Sequence, residues 1–434
     1  LMRCHRDSRT ERCKVIATRL MVACFVVIGL VEIRHCQAES PKKSVIYRTL
    51  TNRNESVRLR TIQRVIHSGP AARREALDDL IASVRNHAEE TAADEIAKPS
   101  TVALINLIAE VDAPESEAVL VELLDAPHLG ISMLSAEALG RKKFYGAIES
   151  LKRQTDREEY QTKYAFRFNL IRALAQMEHP DAIEFLAQLR TSLDGQLRFH
   201  LDELLDEVTI DHFRGDQQRY EQFRNPKPKA VAEEQERESM FKTANYEPES
   251  LQRMRLKPQQ YYGIDIHARR LMFIIDHSGS MKDYWGGMTR LERAKAELTR
   301  AILELPGEVE FAIVFYHTSV RYWRNELVPA TEENKRAAID FIRRLGYGDK
   351  TNTYGALRYS LQFDDQLEAV FLLTDGKPTI GEIVSKPRIV TDILHRNRFR
   401  HLNFNTIGIA VDGSTRAFLQ RLSEESNGEF REAL

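Results

Sequence analysis

The sequence has 434 residues, more than one hydrophobic core usually serves, so we expect two folded domains joined by connecting segments. Hydrophobic residues make up 42% and charged residues 29% of the chain, which is typical of a globular protein and excludes a disordered or fibrous one. The 63 Lys and Arg residues nearly balance the 64 Asp and Glu residues, so no global field favours nucleic acid or an anionic membrane surface.

The N-terminus has the pattern of a secretion signal. A basic stretch that ends at Arg19 is followed by the apolar run 20–31 and then by Cys36-Gln37-Ala38, which ends in a small residue. The apolar run has 12 residues, whereas a helix needs roughly 20 to span a bilayer. We therefore expect residues 1–38 to be removed as a signal peptide and the mature protein to be either secreted or located in the periplasm or cell envelope. The alternatives are a retained anchor and, less well supported because Arg34 and His35 precede the cysteine, a lipoprotein signal.

All four cysteines of the chain lie in this leader, and they are Cys4, Cys13, Cys24 and Cys36. A processed chain would contain no thiol, which excludes disulfides and thiolate metal sites from the mature protein. Its stability would then come from packed cores.

Residues 55–208 have apolar side chains at three- and four-residue spacing, which predicts a series of helices and no strands. One predicted pair covers 101–111 and 115–124, and another covers 166–177 and continues to 189 after a turn at His179-Pro180. Three further features of the same kind are an earlier pair that flanks Ser68-Gly69-Pro70, a helix over 131–139 that ends in a turn at Gly140, and a helix over 147–151.

These helix pairs recur at irregular spacing near 33 residues. One pair alone cannot bury its apolar face, so stacking in an α-solenoid is expected. The segments Ala136-Glu137-Ala138-Leu139-Gly140 and Leu170-Ile171-Arg172-Ala173-Leu174 resemble HEAT-like repeats. The resemblance implies an all-α helical-repeat domain over residues 39–212 that serves as a scaffold for protein interaction. Full HEAT units run to roughly 40 residues or more, so an ordinary helical bundle remains the alternative.

The chain changes character twice after this region. Residues 213–262 are rich in Arg, Lys, Glu, Gln and Pro, with few regularly spaced apolar residues, which predicts a linker. Residues 263–434 alternate strands with amphipathic helices, which predicts a doubly wound α/β domain. The predicted strands are 271–275, 309–316, 369–373 and 404–411. The predicted helices are 290–303, 332–345, 354–361, 386–396 and 415–423.

Side chains that carry oxygen cluster where these strands end. The strand 271–275 runs directly into Asp276, Ser278 and Ser280. The strand 369–373 is followed by Asp375, and Thr351 precedes a predicted helix. Loops at the carboxyl ends of strands converge in open α/β sheets, so these five donors can meet at one edge.

Hard oxygen donors with no His or Cys fit Mg²⁺ best, then Mn²⁺ or Ca²⁺, and argue against Zn²⁺ or copper. If one or both carboxylates act through water, the direct ligands are mostly neutral hydroxyls. The ion then stays electrophilic enough to bind an Asp or Glu carboxylate that a partner protein offers. This chemistry is recognition, with no bond made or broken.

The arrangement resembles the metal-ion-dependent adhesion site of von Willebrand factor A domains, and the resemblance covers the whole predicted α/β domain. It implies a Rossmann-like fold in which Ser278 and Ser280 bind the ion directly and Thr351 binds it in the ligand-bound form. Asp276 and Asp375 are implied to act directly or through water.

Enzyme motifs are missing from the sequence. Ser278 lies in His-Ser-Gly rather than Gly-x-Ser-x-Gly, and no His-Glu-x-x-His occurs, which disfavours a hydrolase. No Gly-x-x-x-x-Gly-Lys-Ser/Thr loop occurs, so the chain is not itself an ATPase, although related domains partner ATPases that remodel or metallate proteins. We predict a non-enzymatic adhesion protein. The alternatives are a structural envelope component and an accessory subunit of such an ATPase machine.

Three side chains lie near the metal loop, and two of them, Trp285 and His277, have a second interpretation. Tyr284 and Trp285 follow the loop beside Gly286-Gly287 and are predicted to form a partner-binding aromatic surface at its rim. The alternative for Trp285 is that it folds back as local core. His277 is predicted to be a packed or solvated neighbour, with a role as metal ligand as the alternative.

Overall fold

The computed structural model describes residues 44–92, 97–212 and 259–433. They belong to two compact units that divide between Asn86 and His87. The predicted signal peptide, its four cysteines and most of the predicted linker lie outside the described residues. Within the described ranges, no helix is long and apolar enough to cross a membrane.

The first unit is helical. Its helices are α1 (Val45–Leu50), α2 (Glu55–His67), α3 (Pro70–Glu75) and the larger part of α4 (Leu77–Glu90). Gly69 has a φ of 87°, a backbone conformation that glycine adopts more easily than other residues. Pro70 then starts α3, at a position where the backbone N–H has no partner within the helix, so the missing N–H of proline breaks no hydrogen bond. The predicted helix pair around these residues is therefore confirmed.

The second unit begins with further helices and contains the whole sheet. Its first helices are α5 (Pro99–Ala109), α6 (Pro114–Leu123), α7 (Leu129–Arg141), α8 (Ile148–Arg153), α9 (Glu158–Thr162), α10 (Tyr164–Gln176), α11 (Pro180–Leu189) and α12 (Gly195–His212). Three of them start with a proline, which fixes φ at a helical value where no N–H is needed. Helix α7 packs against α5, α6 and α10. The prediction of helices without strands is confirmed for residues 44–92 and 97–212.

The predicted turn at Gly140 is wrong. Gly140 lies inside α7, and the chain turns just after it, at Lys143, which has a φ of 54°. A Cβ atom at position 140 would lie 2.5 Å from the carbonyl oxygen of Ala173 in α10. The glycine therefore serves a close crossing of two helices rather than a change of direction.

Gly140→Ala is expected to destabilise the protein by about 1–3 kcal/mol, because backbone atoms of α10 must move to admit the methyl group. The loss should exceed the roughly 1 kcal/mol that alanine gains over glycine within a helix. The thermal melt of the full chain measures it. Gly146→Ala is the matched control, since its Cβ would meet only the flexible side chain of Glu117. A melting temperature for Gly140→Ala at or above that of the wild type would refute the close crossing.

The rest of the second unit is an α/β domain. Its strands are β1 (Gln260–Tyr261), β2 (Ile264–Asp265), β3 (Arg270–Asp276), β4 (Tyr284–Trp285), β5 (Met288–Thr289), β6 (Glu310–Tyr316), β7 (Val320–Tyr322), β8 (Val328–Pro329), β9 (Ala369–Thr374), β10 (Asn403–Ile409) and β11 (Phe430–Ala433). Its helices are α13 (Arg290–Glu304), α14 (Glu332–Arg343), α15 (Thr353–Phe363), α16 (Lys386–Asn397) and α17 (Gly413–Glu424).

The main sheet has the order β11-β10-β9-β3-β6-β7. Strands β11, β10, β9, β3 and β6 are parallel, whereas β7 and β8 pair with β6 in the antiparallel direction. Side chains of β3 alternate between two cores: Phe273 packs in the core that includes Leu298 of α13, and Ile274 packs in the core that includes Leu357 of α15. Burial of both faces explains the unbroken apolar run in the sequence. The predicted α/β domain with helices on both faces is confirmed as a mixed sheet.

Several short strands differ from the sequence-based prediction. The pair β1–β2 lies partly within the range 213–262 that was predicted as linker, and Tyr261 is fully buried in a core of the α/β domain. Strands β7, β8 and β11 were not predicted. They have two to four residues and lie at the edges of the sheet, where one exposed face leaves little apolar signal.

Helices α10 and α12 contact the edge of the sheet where the parallel strands begin. The backbone N–H of Tyr164, which starts α10, donates to the carbonyl of Asp365 at 3.0 Å. Nearby, Arg167 donates to Oε1 of Gln366 at 2.7 Å. In α12, Nε2 of His200 lies 2.9 Å from Nδ2 of Asn403, the first residue of β10.

Glu368 stands at the centre of this contact and is only 2% exposed. Its Oε2 accepts the N–H of Gln196 in α12 at 3.1 Å and the N–H of Arg269 before β3 at 2.9 Å. Oε1 lies 3.3 Å from Nη1 of Arg270. Burial raises the pKa of Glu368 to about 7, because it outweighs the hydrogen bonds and the arginine, which favour the charged form.

Candidate metal centre

The five residues predicted to bind a metal lie on three loops at the edge of the sheet where the strands end. Asp276 is the last residue of β3, and Ser278 and Ser280 follow, with Ser280 in the 3-10 helix Gly279–Lys282. Thr351 precedes α15, and Asp375 directly follows β9. This edge is opposite the one that α10 and α12 contact.

Two serines and one carboxylate are in direct contact. Oγ of Ser280 donates to Oδ1 of Asp375 at 2.8 Å, and it lies 3.3 Å from Oγ of Ser278. These contacts bring together oxygens of residues that follow two different strands.

Asp276 is fully buried beneath these groups. Its Oδ1 accepts the N–H of Ser278 at 2.8 Å, and its Oδ2 accepts the hydroxyl of Thr374 at 2.7 Å and that of Tyr316 at 3.4 Å. Burial, together with the neighbouring charge of Asp375, raises the pKa of Asp276 to about 6. The site thus holds two carboxylates whose mutual repulsion a cation would relieve.

Thr351 is buried but is held through its backbone. Its N–H donates to Oγ1 of Thr379 at 2.8 Å, and its carbonyl accepts the N–H of the same threonine at 2.9 Å. The loop that carries Thr351 reaches the serines through the N–H of Gly279, which donates to the carbonyl of Asp349 at 3.1 Å. Among the described residues, the Thr351 hydroxyl makes no hydrogen bond to the other four predicted ligands.

Arg290 is a member of the site that sequence reasoning missed. Its Nη1 lies 2.7 Å from Oδ2 of Asp375 and 3.6 Å from Oδ2 of Asp283. The Asp375 side chain has no exposed surface, so this ion pair is well shielded from water. An arginine that starts an amphipathic helix is usually solvated, and nothing in the local sequence distinguished this one.

The donors present suit a hard divalent cation. Within the described ranges, no cluster of three or more His, Cys, Asp or Glu side chains could hold a metal. The candidate site instead combines two carboxylates with two serine hydroxyls and the nearby Thr351. Oxygen donors of this kind fit Mg²⁺, Mn²⁺ or Ca²⁺ better than Zn²⁺ or copper.

His277 is buried, with 4% of its surface exposed. Its Nδ1 hydrogen-bonds the carbonyl of Gly346 at 2.8 Å, and its ring lies edge-on to that of His317 with centroids 4.7 Å apart. Burial lowers its pKa, which favours the neutral imidazole. These contacts match the predicted role of a packed neighbour.

The two aromatic residues predicted at the rim differ in exposure. Tyr284 is 78% exposed, whereas Trp285 is half-buried and packs against the core of the α/β domain. The guanidinium of Arg293 lies 4.6 Å from the centre of the Trp285 ring. Gly286 and Gly287, both at positive φ, turn the chain between β4 and β5. Of the pair, Tyr284 is the side chain that is free to contact a partner.

Residues 271–377 match the family model of the von Willebrand factor type A domain. Inter-alpha-trypsin inhibitor heavy chain H1 from Mesocricetus auratus is 30% identical over 177 residues, and the match covers 37% of this chain and 18% of that protein. The Homo sapiens protein of the same name is 30% identical over 173 residues, with 37% and 18% covered. The chain thus spans less than a fifth of the length of these curated relatives.

Solved structures with a similar domain include a von Willebrand factor type A protein from Catenulispora acidiphila. It is 20% identical, covers 38% of each chain and has a TM-score of 0.32. A structure of proximal thread matrix protein 1 from the mussel byssus is 14% identical. It is described as having a zinc-occupied MIDAS motif, the abbreviation for metal-ion-dependent adhesion site. It covers 38% of this chain and 43% of that chain, with a TM-score of 0.29.

Proposed function

We propose that the von Willebrand factor A domain of this chain holds a divalent metal ion and uses it to capture an Asp or Glu carboxylate on a partner protein. The observation that carries the proposal is the convergence of Ser278, Ser280 and Asp375 above the buried Asp276, with 3.3 and 2.8 Å between their oxygens. Thr351, on the adjoining loop, completes the proposed ligand set. The chain acts by binding and is not an enzyme.

Mg²⁺ is the proposed ion, with Mn²⁺ or Ca²⁺ as substitutes. The two serines and Thr351 would supply neutral oxygens, and Asp276 and Asp375 would supply the negative charge. A shell that is mostly neutral leaves the ion able to attract a further carboxylate from outside. Tyr284 beside the site would add contact area to the partner.

The proposal also assigns a role to each of the other segments of the chain. Residues 1–38 direct export, residues 39–212 form a HEAT-like scaffold, residues 213–262 contain a linker, and the binding domain occupies 263–434. Helix α7 packs against α5, α6 and α10, and contacts between neighbouring helices of this kind support a stack of helix pairs. The protein would work outside the cytoplasm, as a secreted or envelope component.

Calorimetric titration of the purified full chain with Mg²⁺, Mn²⁺, Ca²⁺ and Zn²⁺ tests the metal site. Saturable binding of Mg²⁺ or Mn²⁺ is expected, with Zn²⁺ weaker. A pull-down from secreted or periplasmic extract, in Mg²⁺ and in chelator, tests capture, and a partner should be retained in Mg²⁺ alone. A chain that binds none of these ions, or that retains the same partners in chelator, would contradict the proposed function.

Arg290→Gln is expected to raise the affinity for Mg²⁺ by on the order of tenfold, because a fixed positive charge is removed from the side of Asp375 and that carboxylate becomes free for the ion. Calorimetry measures the affinity, and the Mg²⁺-induced rise in melting temperature measures it independently. Lys282→Gln, which removes an exposed charge from the 3-10 helix that carries Ser280, should have a much smaller effect. A weaker affinity in Arg290→Gln would instead assign the arginine to orienting Asp375.

A further inference from the structure

A cavity of about 810 Å³ lies beside the candidate metal centre. Side chains from β6, β7, α14 and the loops next to them form its walls. They include His277, His317, Arg321, Phe341, Arg344 and Tyr347. The aromatic walls and the cationic groups together give it both apolar and charged surface.

The cavity and the metal centre share the same two loops. His277, which lines the cavity, stands between Asp276 and Ser278 in the chain. Its carbonyl accepts the N–H of Gly348, also a lining residue, at 2.7 Å. Residues of the loops that would present the ion to a partner therefore also form part of the wall of this cavity.

Two arginines and one aspartate give the cavity a net positive charge. In the part of the chain that the structure describes, the exposed side chains of Arg321 and Arg344 form no ion pair and no hydrogen bond. The neighbouring Arg343, in contrast, lies 3.5 Å from Asp340. Asp349 is the only carboxylate among the lining residues.

The two histidines that line the cavity have buried ring nitrogens. Nδ1 of His277 faces the carbonyl of Gly346, so it carries the proton and leaves Nε2 as an acceptor. This Nε2 is buried and has no hydrogen-bond partner in the described ranges, and the same is true of Nδ1 of His317. Both nitrogens are enclosed by protein atoms, and an ionised carboxylate has no proton to donate to Nε2 of His277, so these two atoms do not contribute to the recognition of an acidic group.

We propose that this cavity is a second recognition site for the same partner. It binds an acidic side chain that is close, in the partner's sequence, to the residue whose carboxylate binds the metal. The partner segment is thus an acidic peptide with at least two Asp or Glu residues. Arg321 and Arg344 bind the second carboxylate, because guanidinium groups form paired charge-assisted hydrogen bonds with carboxylates. Phe341 and Tyr347 contact the aliphatic part of the segment. This assignment rests on the proposed function, since the metal fixes the first carboxylate.

Synthetic peptides in a Gly-Ser background test the assignment on the full chain. One peptide carries a single Glu, three carry two Glu residues separated by zero, one or two positions, and matched peptides carry Gln in place of the second Glu. Affinities are measured by fluorescence anisotropy in Mg²⁺ and in chelator. The best two-Glu peptide should bind about tenfold more tightly than its Glu-Gln counterpart.

Substitutions of single arginines test which side chains provide the tighter binding of the two-Glu peptide. Arg321→Gln and Arg344→Gln should each remove most of the preference for the second Glu while the single-Glu peptide binds as it does to wild type. Arg343→Gln, which removes the same charge one position away, should leave the preference unchanged. Equal affinity of wild type for the two-Glu and Glu-Gln peptides, or an unchanged preference in both cavity variants, would overturn the second site.

The outcome also separates the two proposals. If Mg²⁺ has no effect on any peptide, the proposed metal-dependent capture is wrong. The cavity should even then favour acidic over Gln-substituted peptides in chelator, through its arginines alone. A lack of that preference in both conditions would refute the cavity, whereas metal-dependent binding of the single-Glu peptide without any gain from the second Glu would refute the cavity and retain the metal site.

Discussion

Asp375→Ala is expected to lower the affinity for Mg²⁺ by at least about 100-fold, which in a calorimetric titration would appear as loss of binding. The substitution removes a carboxylate oxygen and its charge from the candidate site. It also leaves the guanidinium of Arg290 without its partner at 2.7 Å, and this positive charge then repels the ion. Ser280→Ala removes one neutral oxygen and should have a smaller but clear effect. Binding of a carboxylate-bearing partner should be lost with the metal.

The fold should survive these substitutions because the residues lie on loops and the apolar strands hold the domain. Circular dichroism and the melting temperature in chelator check this directly. Asp340→Ala, which removes an exposed carboxylate from α14, is the control and should bind Mg²⁺ as wild type does. Wild-type affinity in both Asp375→Ala and Ser280→Ala would show that the ion, if bound, lies elsewhere.

Glu368→Gln is expected to change how the stability of the protein depends on pH. Burial raises the pKa of Glu368 to about 7, against an ordinary value of 4.5. The unfolded chain therefore loses this proton at a lower pH than the folded chain does. The contribution of Glu368 to stability is fully present below about pH 4.5 and is lost as the pH rises to about 7.

Glutamine cannot ionise. Between pH 4.5 and 7, the free energy of unfolding of the variant should therefore rise relative to that of the wild type, by up to about 3 kcal/mol. Urea unfolding at pH 5.0, 6.0 and 7.5 measures the difference between the two proteins. Glu310→Gln removes another carboxylate that pairs with Arg270 and serves as the control. Parallel stability curves for wild type and Glu368→Gln would show that the carboxylate titrates in the same range whether the chain is folded or not.

The sequence was most informative where one short segment determines its own structure. The strand that ends at Asp276 is buried on both faces, so its apolar run could be recognised without knowing its neighbours. Asp276, Ser278 and Ser280 then follow within five positions, and the fold only has to bring Asp375 to the adjacent strand end. Pairing of β3 with β9 achieves that.

The features that sequence reasoning missed depend on residues far apart in the chain. Glu368 meets Gln196 across 172 positions, and Asn403 meets His200 across 203. Each is an ordinary polar residue in its own segment, and no periodicity marks a polar contact between distant elements. Arg290 was missed for the same reason, because its partner Asp375 lies 85 positions away. Gly140 was misassigned because a glycine favours both turns and close helix crossings.

Strand β9 joins the two ends of the α/β domain within a very short length of chain. Glu368, which helix α12 contacts, directly precedes it, and Asp375 of the candidate metal centre directly follows it. If a captured partner is pulled away from the helices, the tension runs along this strand and along its neighbour β3, which starts beside the same carboxylate and ends at Asp276. Its hydrogen bonds to β3 and β10 lie across that direction, so they would be sheared together instead of being peeled apart one by one. The geometry favours a linkage that bears mechanical load.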